Sequence, residues 1–98
     1  MDIRFEWDAT KASLNKKKHN ISFDEAKTVF FDKNAMVIHD PEHSDHEDRF
    51  VILGLSTVAH LLVVCHCFRD EDSVIRIISA RKATKNESSQ YQDQGGVR

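Results

Sequence analysis

Glycine and proline, the residues that usually shape active-site loops, are scarce in this chain. Its 98 residues include three glycines, two of them adjacent at Gly95-Gly96, and one proline, Pro41. No glycine-rich phosphate loop, nucleophile elbow or zinc-binding helix motif can be written from it. No apolar run is long enough to span a bilayer, and no signal-peptide pattern opens the chain. A cytoplasmic protein without membrane contact is therefore expected. The two cysteines, Cys65 and Cys67, stand two apart on a predicted strand. Side chains so spaced share a face but diverge, which is poor geometry for a disulfide. Burial as small hydrophobes is the expected role.

The remaining composition suits a single domain over residues 1–92, followed by a frayed tail at 93–98. Hydrophobic residues make up 40% and charged residues 31%, the balance of an ordinary globular protein. A net charge of −2 argues against a generic nucleic-acid coat, but the charge is unevenly spread. Between Asp40 and Asp48 there are five acids and no Lys or Arg. From Val74 onward five bases stand against two acids, and Lys16-Lys17-Lys18-His19 forms a second basic cluster. A basic face on a slightly acidic protein suits a phosphate-bearing partner, and equally an acidic protein.

Local signals predict an α+β fold with two N-terminal helices, an antiparallel sheet meander and a C-terminal helix. Ile3 to Trp7 alternates as a short amphipathic strand. Asp8 is an N-cap for a helix through Lys18, which has only Ala12 and Leu14 as apolar anchors and a basic last turn. Asn20 tolerates the left-handed conformation that ends helices. Ser22-Phe23-Asp24-Glu25 has the form of a capping box, and Phe23, Ala26, Val29 and Phe30 make a buried helical stripe. Strands are predicted at Met36–His39, Arg49–Thr57 and His60–Phe68, with a tight turn near Val58-Ala59. The tract from Asp40 to Asp48 reads as a solvated loop. Its histidines, His43 and His46, with His39 just before it, lack a framework that would fix metal ligands.

The stretch from Val74 to Tyr91 carries the chemistry. It begins as a strand, with Ile75, Ile77 and Ser79 on one face and Val74, Arg76, Ile78 and Ala80 on the other. It ends as a helix opened by a capping box, Thr84-Lys85-Asn86-Glu87. Arg76 projects from branched aliphatics, and arginine is rarely buried without a partner. Either it pairs with an acid elsewhere in the chain, or its planar fork of donors awaits a phosphate or carboxylate. RNA cleavage suits the second possibility. The substrate's 2′-hydroxyl is the nucleophile, so a metal-free site needs only a base, an acid and positive charge on the phosphorane. Arg76 and Arg81 suit the charge role, and His19, His66, Tyr91 or Glu87 would have to carry protons.

The sequence resembles the BrnT family of bacterial type II toxins, which are similar in fold to RelE-type ribonuclease toxins. Its N-terminal share lies in Phe5-Glu6-Trp7-Asp8, Lys11, Asn15, Lys18-His19, Ser22-Phe23, Glu25-Ala26, Val29-Phe30 and Asp32. Its C-terminal share lies in Arg76-Ile77-Ile78-Ser79-Ala80-Arg81, Ala83, Glu87 and Tyr91. The resemblance implies RNA cleavage without a cofactor, silencing by a BrnA-like ribbon-helix-helix antitoxin, and repression of operator DNA by the pair. It points to His19, Arg69, Arg76, Arg81 and Tyr91 as catalytic; Lys16, Lys18, Lys82 and Lys85, from the basic stretches, are the expected substrate contacts. Phe68 stands where tyrosine is frequent and Asn20 where glycine is common. A second reading uses the same residues: a non-catalytic module whose basic face binds an antitoxin and acts as a co-repressor.

Overall fold

Three capping side chains divide the chain into its helices. Asp8 accepts the Lys11 N–H at 2.9 Å and starts α1, Ala9–His19, which ends at Asn20 in the left-handed conformation. Ser22 accepts the Glu25 N–H at 3.0 Å and starts α2, Phe23–Thr28, continued by a 3-10 turn at Val29–Phe31. Thr84 and Glu87 form the complete capping box that starts α3, Lys85–Tyr91. The second expected box is only half formed. The Glu25 carboxylate turns away from its own helix, accepts the Ser56 hydroxyl at 2.7 Å and lies 2.7 Å from His60 Nδ1. It thereby ties α2 to the turn between two strands.

The strands are β1 (Arg4–Glu6), β2 (Met36–His39), β3 (Phe50–Leu55), β4 (Leu61–Arg69) and β5 (Val74–Lys82), in the sheet order β1-β5-β4-β3-β2. This computed structural model describes residues 3–39 and 48–93. The acidic tract with His43 and His46, the side chain of His39, and the end of the expected tail lie outside those residues. Strands β2 to β5 form the expected antiparallel meander. β1 pairs with β5 in parallel, Glu6 opposite Arg76, so the sheet is mixed rather than antiparallel throughout. Both N-terminal helices and three strands lie between β1 and β5, ample length for the crossover that a parallel pair needs.

Ile21, Phe23, Ala26 and Val29 pack on Ile52, Leu62, Val64, Ile75, Ile77 and Ala80 to form the core on one face of the sheet. Gly54 belongs to this contact. A Cβ there would stand 2.8 Å from Val29 Cγ1 and 2.9 Å from the Ala35 Cβ, so the 3-10 turn seats only against a bare backbone.

Strand β5 departs from simple alternation. Cys65 pairs with Ser79 but His66 pairs with Ile77, which leaves Ile78 as an extra, bulged residue. The bulge corrects the expected faces. Ala80 joins Ile77 in the core and is fully buried, while Ser79 moves to the face of Arg76. Arg76 pairs with Cys67 and Arg81 with Val63, residues four apart on β4, so both arginines project from the same face. Five residues of unbroken strand would have put them on opposite sides.

Candidate active site

Asn15 sets the position of α1 and is its one buried residue. Beyond Glu6, β1 has ended and the outer edge of β5 has no strand to pair with. The Asn15 side chain takes the place of one. Its amide nitrogen donates to the Ala80 carbonyl at 2.9 Å and the Ile21 carbonyl at 3.0 Å, and its oxygen accepts the Ala80 N–H at 3.0 Å. Leu14, expected as an anchor, is 59% exposed. This clamp lays the last turn of α1 along β5. A cleft of about 190 Å³ opens there, lined by Lys11, Lys18 and His19 on the helix and by Ile78 and Ser79 on the strand.

A second cleft, of about 270 Å³, lies on the face of the sheet away from the core and shares Ile78 and Ser79 as a wall. Arg49 and Arg81 line it above Val51, Val63 and Cys65. The bulge therefore stands between a histidine-and-lysine cleft and a two-arginine cleft. Arg81 is fixed by Glu87, with Nη1 to Oε1 at 2.8 Å and Nη2 to Oε2 at 2.9 Å. That fork, with the Thr84 N–H, holds the Glu87 carboxyl down at about 2. One carboxylate thus caps α3 and orients the arginine.

Arg76 has the internal partner that the sequence left open. Its Nη1 donates to Glu6 Oε2 at 2.7 Å, and Arg69 Nε lies 3.9 Å from the same oxygen. Glu6 therefore gathers two of the expected arginines at one end of the face. Four residues along a strand separate the Arg76 and Arg81 rows, or about 13 Å. Tyr91 lies elsewhere. Its hydroxyl donates to Asp32 Oδ2 at 2.7 Å, and the same oxygen accepts the Leu55 N–H at 2.8 Å near the end of β3. Burial and the bond to Asp32 push the Tyr91 hydroxyl up to about 12, so it keeps its proton at neutral pH. Burial opposes the charge on Asp32, but donors from Leu55, Tyr91 and Asn34 outweigh it and hold that carboxyl low.

His66 faces the core. It is 1% exposed, ringed by Phe30, Phe50 and Phe68, with Nδ1 3.2 Å from the Val64 carbonyl. Burial pushes its pKa down, partly countered by that carbonyl, so it packs as a neutral ring. Of the four lysines, Lys18 lines the α1 cleft, while Lys16, Lys82 and Lys85 are exposed and line neither cleft. Ser56, His60 and Glu25 have the composition of a nucleophilic triad without its geometry. The hydroxyl and the imidazole both turn to the carboxylate, so nothing takes the serine proton toward a base. Among the described residues, no three His, Cys, Asp or Glu side chains gather to hold a metal ion. No helix among them is long and apolar enough to cross a membrane.

Sequence reasoning missed Arg49 and Ser79. Arg49 stands only as the first residue of an expected strand, and strict alternation puts Ser79 with Ile75 and Ile77; the signal that moves it is the adjacent pair Ile77-Ile78, which breaks the polar–apolar pattern between Arg76 and Arg81. Comparison with known proteins bears on what the two clefts do. The family model described as the ribonuclease toxin BrnT of type II toxin–antitoxin systems matches residues 7–87. The chain belongs to the BrnT family. The 1.1 Å crystal structure of the Brucella abortus ribonuclease toxin BrnT has the same fold, with a TM-score of 0.64 at 20% identity over 85% of this chain and 99% of that one. No curated protein sequence matches. Membership in BrnT brings with it an RNA substrate and an antitoxin partner.

Proposed function

We propose that this BrnT-family chain cleaves RNA without a metal, using the substrate's own 2′-hydroxyl as nucleophile. The observation that carries the proposal is the meeting of His19 and Arg81 at the two sides of the Ile78-Ser79 wall. An imidazole able to carry a proton and a guanidinium able to hold a phosphate line two clefts that share this wall. In this reading His19 moves the 2′-hydroxyl proton and Arg81 stabilises charge on the phosphorane, with Lys18 steering the strand. Arg76 and Arg69, gathered on Glu6, extend the positive rim along the same face. Lys16, Lys82 and Lys85 contribute long-range attraction to RNA. Tyr91 acts as a proton-bearing hydroxyl, not a base, and reaches substrate only on release from Asp32.

A BrnA-like ribbon-helix-helix antitoxin silences the toxin in the cytoplasm, and the pair occupies operator DNA. The fold is a relative of the RelE-type ribonuclease toxins. What supports a protein partner is exposed apolar surface on the core side of the sheet. A groove of about 610 Å³ runs between Ile3, Phe5, Phe31 and Val37, and Phe31 is 75% exposed. Although larger than the two polar clefts, it offers no charged group to an RNA phosphate.

The test is cleavage of a defined RNA by purified protein in excess EDTA, beside the same RNA carrying 2′-O-methyl groups. Cleavage of the first and not the second is expected. Loss of activity on chelation, restored by one metal ion, refutes the metal-free chemistry, and cleavage of the methylated strand refutes the nucleophile.

A further inference from the structure

Arg49 enters none of the roles above, yet it lines the same cleft as Arg81. Its place follows from the register. Phe50 opens β3 opposite His66, so the residue before it stands in the row of Cys67, the partner of Arg76. Arg49 thus starts from the row of Arg76 and lines the cleft that ends at Arg81. Arg49 and Arg81 therefore reach into one cleft from its two ends.

The bonds of Arg81 show what is left for a ligand. Glu87 takes the end-on edge, Nη1 and Nη2, and the Lys82 carbonyl takes a second Nη1 hydrogen at 3.2 Å. The Nε–H and the remaining Nη2–H form a side-on edge, again two parallel donors, that no described residue engages. Cys65 and Ser79 line the cleft beside Arg81. Among the described residues lining this cleft there is no carboxylate to repel it.

We propose that Arg49 is a substrate-binding residue of this toxin, closing with Arg81 on one phosphodiester of a single RNA strand that crosses the sheet at the Ile78 bulge. The inference rests on the ribonuclease reading for the identity of its ligand. The cleft floor of Val51, Val63, Cys65 and Ile78 is too apolar to attract phosphate alone, so affinity there comes from the two guanidiniums.

The experiment measures binding of a 2′-O-methyl oligoribonucleotide against salt concentration, together with cleavage of the unmodified strand. Wild type, Arg49→Gln, Arg49→Lys and the remote Lys33→Gln are compared, with a thermal melt of each. Arg49→Gln should bind about ten- to a hundredfold more weakly. Its slope of log affinity against log salt should be shallower by about 0.7, the loss of one single-strand phosphate contact. Arg49→Lys should keep the slope, having kept the charge, but lose about tenfold or more in cleavage for want of the fork. Lys33→Gln should match wild type throughout. Arg49→Gln that melts, binds and cleaves as wild type overturns the proposal. Should that variant not fold, Arg49→Lys with the wild-type cleavage rate overturns it equally. Wild type that binds the strand with an Arg49-dependent slope but cuts nothing overturns the ribonuclease reading alone.

Discussion

Replacing Asn15 with alanine should separate what holds the site together from what performs its chemistry. The asparagine is 7% exposed and makes three hydrogen bonds of 2.9–3.0 Å, two of them to the backbone of Ala80 at an edge where no strand continues. Each such bond contributes about 0.5–1.5 kcal/mol net, and leaving the Ala80 N–H buried and unpaired costs about 1–3 kcal/mol more. Water reaching the opened edge recovers part of that, so a loss of about 3 kcal/mol is expected. A domain of this size shifts about 4–8 °C in Tm per kcal/mol, which predicts a fall of about 12–24 °C. The protein should still fold, because total stabilities run to about 5–15 kcal/mol. Below the new Tm the core should remain intact, but the last turn of α1 loses its tie to β5. Lys18 and His19 then leave Ser79, and RNA cleavage should collapse in protein that is still folded. Thermal melts, amide hydrogen exchange at Ala80 and single-turnover cleavage at 20 °C check each step. A Tm fall of under about 4 °C, with Ala80 still protected, refutes the idea that this side chain substitutes for a strand.

Arg76→Lys and Arg81→Lys should each cost under about 1 kcal/mol of stability, since both ion pairs are partly exposed. Cleavage should fall roughly a hundredfold if these forks serve the transition state, and melts that fall in step with activity would make the arginines scaffold only. Gly54→Ala should destabilise by about 1–3 kcal/mol through overpacking against Val29 and Ala35, and an unchanged melt would show that the 3-10 turn yields at no cost. His66 has a folded pKa below its ordinary 6.5, so the unfolded chain takes up the proton first as pH falls. Its contribution is fully present above about pH 6.5 and is lost below it. The urea midpoint should therefore drop from pH 7.5 to 5.5, and His66→Leu should flatten that drop; an equal slope in the variant assigns it to other groups.

Much of this fold was legible because its signals are local. Asp8, Ser22 and Thr84 each cap the helix they were expected to start, and Asn20 ends α1 in the expected left-handed turn. The strand expected at His60–Phe68 forms within one residue at each end, as Leu61–Arg69. What stayed hidden depends on residues distant in sequence. The partner of Arg76 was undetermined until β1 and β5 paired in parallel, which sets Glu6 opposite it across 70 residues. Asn15 resembles solvated surface within a polar helix, because nothing local shows that the edge of β5 is bare beside it. The bulge is a different case, since Arg76, Ser79 and Arg81 share a face only if one of the adjacent Ile77 and Ile78 is extra, a mark that strict alternation passes over. The clefts suffered from the same blindness: His19, Arg69, Arg76, Arg81 and Tyr91 were named one by one, but only the register shows which of them are neighbours.

The acidic turn between β4 and β5 holds Asp70, Glu71 and Asp72 all at positive φ, a conformation that glycine adopts more easily. That turn and the bulge bracket the first half of β5 and together set its phase against β4. Removing any one residue between Arg76 and Arg81 would restore plain alternation to the strand. Arg81, then four residues from Arg76, would stay on the same face, and Ala80 would stay in the core. The extra residue therefore leaves the facing of the two arginines unchanged, and what Ile78 adds is a wall shared by both clefts.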